Sequence, residues 1–184
     1  MGKREPPIQK CCPEGTIEKC IPLNYILFKT GGIIMPHSFS HILIHYIFST
    51  KNRQRFLTDD IRQRIFNYMG GIARRNDIQP QIIGGVEDHV HMLVLAPKTL
   101  SIADAVKLIK GGSSKWIHKA FPRLKNFAWQ IGYGAFSVSL SNKENVVHYI
   151  QHQEEHHRKM TFKEEFIEFL EKHNIEYDER YIWD

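Results

Sequence analysis

Cysteine is nearly absent from this chain, and what there is sits at one end. Of 184 residues only Cys11, Cys12 and Cys20 are cysteine. Three thiols confined to the first twenty residues provide neither a disulfide framework nor the paired spacing of a zinc site. That usage suits a reducing compartment, the cytoplasm. Long apolar runs are missing too: no stretch of eighteen apolar residues occurs, so no membrane span is expected. Ile21 to Met35 comes nearest, but Pro22, Asn24, Lys29 and Gly31-Gly32 interrupt it. No small-residue cleavage site of a secretory leader is found after it.

What is present is an ordinary globular composition, 42% hydrophobic and 24% charged, with no low-complexity block. The length is enough for one domain with a real core. A net charge of +5 is compatible with a polyanionic partner without proving one. Its distribution says more. Lys107, Lys110, Lys115, Lys119, Arg123 and Lys125 follow one another with no acidic residue between them. Lys51, Arg53 and Arg55 form a second basic group, while acidic residues gather after Glu144. Such a basic helix is usually a solvated face, and it is also what a phosphate-tracking surface requires.

Residues 1–34 look foreign to the rest of the chain. Pro6-Pro7, Cys11-Cys12-Pro13 and Gly15 break any regular period. Gly31-Gly32 can be encoded by a ribosome-binding sequence two codons ahead of Met35, so Met35 is the expected natural start. The chain therefore divides into an extension, 1–34, and one domain, 35–184. Native protein carrying residues before Met35, seen by mass spectrometry, would contradict this.

From there the pattern alternates. His41 to Ser49 reads as a strand rich in β-branched and aromatic residues. Thr58-Asp59-Asp60 signals a helix start, with Ile61, Ile65, Phe66, Met69 and Ile72 at helical spacing. Pro80 to Val86 is a second strand with a Gly84-Gly85 break, forming a hairpin with the strand after it. Ser101 caps a second helix that Gly111-Gly112-Ser113-Ser114 should interrupt, either as a joint or as a close approach of ligand or helix. Phe127 to Gln130 and Ala135 to Leu140 alternate as strands. Ser141 with Glu144 reads as a capping box for the next helix, and Glu164 to Lys172 is a final amphipathic helix. The order β-α-β-β-α-β(β)-α predicts an α+β ferredoxin-like, RRM-like sandwich with an antiparallel sheet and an added C-terminal helix.

Two stretches carry chemistry. Gly85-Val86-Glu87-Asp88-His89-Val90-His91 places two imidazoles at i and i+2, on one face of a strand, where they can share a metal ion. Alone this is a weak signal, since neighbouring strand histidines are more often ordinary surface residues. The second stretch, Asn145 to Arg158, looks helical and sets Tyr149 and Gln153 four apart on one face. A tyrosine can be a covalent nucleophile, and a carboxamide oxygen can be a metal ligand. In isolation such a pair is more often a buried tyrosine and a solvated glutamine.

Taken together, IHYIFSTKNR, GGVEDHVHMLV, KLIKGGSSKW, FAWQIGYGAFSVS and YIQHQEEHHRKMTF resemble the HUH-type single-tyrosine transposases of the smallest bacterial insertion sequences (IS200-like) and their REP-associated relatives. The resemblance covers Met35 to Asp184, with no departure at the positions that matter. It implies a metal-dependent transesterase acting on single-stranded DNA folded into hairpins. His89, His91 and Gln153 would hold Mg²⁺ or Mn²⁺, and Tyr149 would become a 5′-phosphotyrosine. It also implies a homodimer in which the tyrosine helix serves its own or the other subunit, and a cytoplasmic protein that is nucleoid-associated when bound to DNA.

Other residues stay open. His152 and His156 lie near the Tyr149 face and could compete as ligands or move a proton, although surface or DNA contact suits them better. His45 reads as structural. Glu87 and Asp88 could serve a hydrolase, but alternation turns Asp88 away from His89. Arg53, Arg55, Lys107, Lys110 and Lys115 are phosphate candidates. Phe136 and Trp129 could stack on bases, with core packing the safer expectation. The alternatives are a domesticated or non-catalytic DNA-hairpin-binding protein, and a metal-dependent hydrolase.

Overall fold

The structure is a computed structural model that describes residues 39–183. The expected extension and the start at Met35 lie outside these residues. Four strands form one antiparallel sheet: β1 (Leu43–Ser49), β2 (Gln79–Gly85), β3 (His89–Leu95) and β4 (Gly134–Val138), in the order β2-β3-β1-β4. The helices α1 (Asp59–Arg75) and α2 (Ile102–Ala120) complete a ferredoxin-like α+β sandwich. Three further helices follow: α3 (Lys143–Gln151), α4 (Gln153–His156) and α5 (Phe162–Lys172). Among the described residues, no helix is long and apolar enough to cross a membrane.

The two central strands are buried on both faces, which is why their sequences are almost continuously apolar. Ile44, Tyr46 and Phe48 of β1 and Val90, Met92 and Val94 of β3 point into the core under α1 and α2. The alternate residues face the other way. There Ile47 packs with Phe162, Phe166 and Leu170 of α5, and Leu43 and Leu93 pack with Ile150 of α3. His45, His89 and His91 share this second face, so the polar cluster is built where the C-terminal helices cover the sheet.

Several local expectations are corrected. α2 runs without a break through Gly111-Gly112-Ser113-Ser114. A Cβ at Gly112 would lie 2.9 Å from Ile72 Cδ1, so the glycine lets α1 and α2 approach closely. A helical glycine costs roughly 1 kcal/mol relative to alanine. Phe127 to Gln130 is not a strand: one isolated bridge, Thr50 to Trp129, is all that forms. Its alternation is real, since Phe127 and Trp129 are both buried, but the backbone carbonyls of 130–132 are taken by the Lys110 ammonium. Ser141 does not cap α3; a short 3₁₀ turn, Leu140–Asn142, leads into it instead. The helix bearing Tyr149 ends at Gln151, and Gln153 opens the next one after a kink at His152. α5 begins two residues earlier than expected, where Thr161 and Glu164 form a reciprocal capping box.

Candidate active site

A glycine sets the position of the tyrosine helix. A Cβ at Gly84 would stand 2.5 Å from the carbonyl oxygen of Ile150, so α3 rests directly on the backbone of β2. Ile150 then inserts against Leu43 and Leu93, and its neighbour Tyr149 is carried over the histidines of β3. The Tyr149 ring lies 5.8 Å from that of His91 and 6.4 Å from that of His45.

His89 and His91 are fully buried, their ring centroids 5.0 Å apart. Each is oriented through Nδ1. His89 Nδ1 lies 2.7 Å from Asp88 Oδ1, and His91 Nδ1 lies 3.0 Å from His45 Nε2. Burial would raise the Asp88 carboxyl, but the hydrogen bond from His89 holds it below its ordinary value. Burial also keeps His91 and His45 neutral, His45 well below the ordinary imidazole value. Asp88 can only accept, so it holds the His89 proton on Nδ1 and leaves a lone pair on Nε2. A proton on His91 Nδ1, donated to His45, leaves the His91 Nε2 lone pair free in the same way. Asp88 is therefore corrected from its expected orientation. It sits in the turn before β3, where strand alternation does not apply.

The two Nε2 atoms look toward other acceptors. Gln153 Oε1 is 3.2 Å from His89 Nε2, and Glu165 Oε2 is 3.7 Å from His89 Nε2 and 3.3 Å from His91 Nε2. Neither His91 Nε2 nor Glu165 Oε2 has a hydrogen-bond partner, though both are buried. Nearby, His157 Nε2 is 3.1 Å from Gln153 Oε1 and 3.4 Å from Glu165 Oε2. Burial lowers His157, but the Glu165 carboxylate outweighs it, and the imidazole is net raised. For Glu165, burial pushes upward, yet His91, His157 and His89 hold the carboxyl well below the carboxylate range. Ligand atoms of His89, His91, His157 and Glu165 all fall within 4.8 Å of one another. Converging nitrogen and oxygen donors from largely buried side chains fit a divalent cation.

The nucleophile candidate meets the same carboxylate. The Tyr149 hydroxyl donates to Glu165 Oε1, which also accepts from Gln153 Nε2 at 3.2 Å. Burial, and next the adjacent Glu165, push the phenol well above its ordinary value. His156 lies at the edge, 3.6 Å from Glu165 Oε1. His152 is exposed and bonds back to the His148 carbonyl.

The structure thus brings together Tyr149, His89, His91 and Gln153, and leaves the basic candidates dispersed. Arg55 joins Arg62 and Arg158 in lining a cleft of about 400 Å³ that reaches His157. Arg53 lies over the Trp183 ring, 5.6 Å from its centroid. Lys107 and Lys115 are exposed on α2, across the sheet from the histidines. Lys110 donates to the carbonyls of Gln130, Ile131 and Gly132, using all three of its N–H bonds, and burial lowers it to about 8. It is a loop anchor with no donor left for a phosphate. Phe136 and Trp129 are buried in the core.

Sequence reading missed Glu165, His157 and the pairing of His45 with His91. One signal was available: Glu165 falls on the same helical stripe as Phe162, Phe166 and Leu170, and an acid on an apolar face needs an explanation.

This fold and site define a class: an antiparallel α+β sandwich in which a histidine pair on a central strand meets a single tyrosine. A family model described as IS200-like transposase matches residues 38–153, more than half of the chain. The chain belongs to the IS200-like transposase family. It is 28% identical over 114 residues to the ISDra2 transposase TnpA of Deinococcus radiodurans, covering 59% of this chain and 81% of that protein. It is 25% identical over 114 residues to the transposase for insertion sequence element IS200 of Salmonella typhimurium, covering 59% and 74%. A crystal structure of a transposase from Deinococcus radiodurans superposes with a TM-score of 0.54 at 27% identity, covering 66% of this chain and 98% of that one. A REP-associated tyrosine transposase bound to a REP hairpin shares the fold, with a TM-score of 0.51 at 16% identity over 68% and 74% of the two chains.

Proposed function

We propose that this transposase cleaves and rejoins single-stranded DNA at hairpin ends through a 5′-phosphotyrosine on Tyr149. His89 and His91, with the Gln153 carboxamide oxygen, hold the divalent ion, Mg²⁺ or Mn²⁺. The observation that carries the reading is that one carboxylate touches both the Tyr149 hydroxyl and the unpartnered Nε2 of His91. A phosphate brought to the histidines therefore meets the tyrosine oxygen. Bound there, the ion supplies Lewis-acid polarisation of a non-bridging phosphate oxygen.

The chain's own residues supply the rest. Glu165 Oε1 positions the Tyr149 hydroxyl, and because that carboxylate is weakly basic the phenol proton passes on to solvent as the oxygen attacks. The Tyr149 oxygen forms a bond to phosphorus as the P–O3′ bond breaks, and the leaving oxygen takes up a proton from solvent, balancing the one lost by the phenol, to become a free 3′-hydroxyl. Attack by a 3′-hydroxyl on the phosphotyrosine reverses these changes and restores Tyr149, so joining needs no nucleotide. Arg55, with Arg62 and Arg158, lies where an incoming backbone would reach His157, and Lys107 and Lys115 offer exposed charge further away. Residues 35–184 act as one catalytic domain. The working unit is a homodimer in the cytoplasm, on the nucleoid when DNA is bound.

Strand joining provides the test. Two single-stranded oligonucleotides carrying the flanking hairpins are incubated with protein and Mn²⁺ and without any nucleotide cofactor. Recombined strands are expected from wild type and not from Tyr149→Phe. Hairpin binding with no cleaved or joined product under either Mg²⁺ or Mn²⁺ would contradict the proposal in favour of a non-catalytic hairpin binder.

A further inference from the structure

Glu165 is the one acidic residue among the buried side chains of the described residues. We infer that Glu165 is itself a ligand of the divalent ion, adding a carboxylate to the two histidines and the Gln153 carboxamide, while its other oxygen holds Tyr149. This rests on the metal-dependent function proposed for the chain and adds to it a ligand from α5, a helix beyond the segment the family model matches, which ends at Gln153.

The two oxygens of the carboxylate have separate duties. Oε1 accepts from the Tyr149 hydroxyl and from Gln153 Nε2. Oε2 accepts no hydrogen bond, although the residue is 1% exposed, and it faces His91 Nε2 at 3.3 Å and His89 Nε2 at 3.7 Å. Ligand atoms bound at about 2.1 Å and at right angles lie about 3 Å apart, so these separations suit one shared ion. His157 is the competing source of positive charge. It faces Oε2 at 3.4 Å but leaves His91 Nε2 without a partner, so an imidazolium alone does not account for the cluster. A cation between the acceptors accounts for two of the three buried unpaired atoms here, His91 Nε2 and Glu165 Oε2. The third, His156 Nε2, lies 3.6 Å from Glu165 Oε1, on the tyrosine side of the carboxylate.

The donor set has a chemical consequence. Two imidazoles and a carboxylate favour Mn²⁺, Co²⁺ or Fe²⁺, whereas Mg²⁺ prefers oxygen ligands and retains water. By engaging Tyr149 through the other oxygen, Glu165 fixes the nucleophile beside the histidines.

Metal uptake by the full-length chain tests the inference without DNA. Free Mn²⁺ is followed by electron paramagnetic resonance during titration, and the visible d–d bands of the Co²⁺-loaded protein report its ligands. Glu165→Gln is expected to weaken Mn²⁺ binding by roughly tenfold or more and to change the Co²⁺ bands at saturation. A mere loss of nearby charge would shift affinity and leave the saturated spectrum alone. Wild-type affinity together with an unchanged Co²⁺ spectrum in Glu165→Gln overturns the inference and leaves the Tyr149 reading standing. No Mn²⁺ uptake by wild type overturns it together with the metal part of that reading. Should Glu165→Gln not fold, as judged by circular dichroism, Glu165→Asp carries the test: altered Co²⁺ bands support the inference, and bands identical to wild type overturn it.

Discussion

The hydroxyl of Tyr149 on α3 donates a hydrogen bond to the carboxylate of Glu165 on α5, sixteen residues further along the chain. That contact ties the proposed nucleophile to the buried histidines, because the second Glu165 oxygen faces both of them. It makes the last helix part of the site and not simply its cover.

The approach of α3 to the sheet depends on Gly84. Gly84→Ala puts a Cβ against the Ile150 carbonyl, where backbone must shift. We expect a loss of about 1–3 kcal/mol in urea unfolding. DNA cleavage should fall further than stability does at a temperature where the variant remains folded, because Tyr149 moves with Ile150. Wild-type stability in this variant would count against the close packing of α3 on β2.

Asp88 and His45 orient the two strand histidines through their Nδ1 atoms. Asp88→Asn and His45→Phe are each expected to reduce Mn²⁺ affinity about 10–100-fold. Isothermal titration calorimetry measures this, and thermal melts in EDTA separate it from loss of fold.

The pH dependence of stability comes from burial. His45 is held neutral in the folded protein, well below its ordinary value, while the unfolded chain takes up that proton near pH 6.5, roughly. Below that pH the unfolded state binds more protons, so stability falls with pH, by at most about 1.4 kcal/mol per unit for one such group. His157 works in the opposite sense: its raised value stabilises at low pH and loses that contribution as pH rises through the folded value. Metal-free His45→Phe should therefore show a shallower loss of stability between pH 6.5 and pH 5 than wild type. An unchanged slope by chemical denaturation would show that His45 titrates normally.

Lys110 and its neighbours separate architecture from DNA contact. Lys110→Met leaves three carbonyls without their shared donor and should cost stability with little change in single-stranded DNA affinity. Lys107→Ala and Lys115→Ala should do the reverse, each lowering affinity and reducing the salt slope by about one where a phosphate is contacted. Fluorescence anisotropy across a salt series distinguishes the two patterns.

These residues also show what the sequence made legible. The period of two in His89-Val90-His91 correctly put both imidazoles on one face, because a central strand obeys alternation on either side. Asp88 broke the same rule because it lies one residue outside the strand. Spacing of four correctly brought Tyr149 and Gln153 together, even though the helix kinks at His152 between them. Glu165 was not recognised, since what buries one acid on an amphipathic helix is the arrival of two strands and a tyrosine from elsewhere in the chain. Lys110 misled for a related reason: composition reports a charge but not the carbonyls already bound to it. The α+β sandwich itself was legible from element order, whose short connections leave few topologies.

The most direct measurement is the covalent linkage. Single-stranded DNA labelled at its 3′ end and carrying the flanking hairpin is incubated with Mn²⁺, separated on a denaturing gel, and the adduct mapped by peptide mass spectrometry. The account predicts a protein-sized labelled species whose nucleotide is attached to Tyr149, absent in Tyr149→Phe and in EDTA. Cleavage that persists in Tyr149→Phe would contradict it and point to hydrolysis by a water held at the histidines.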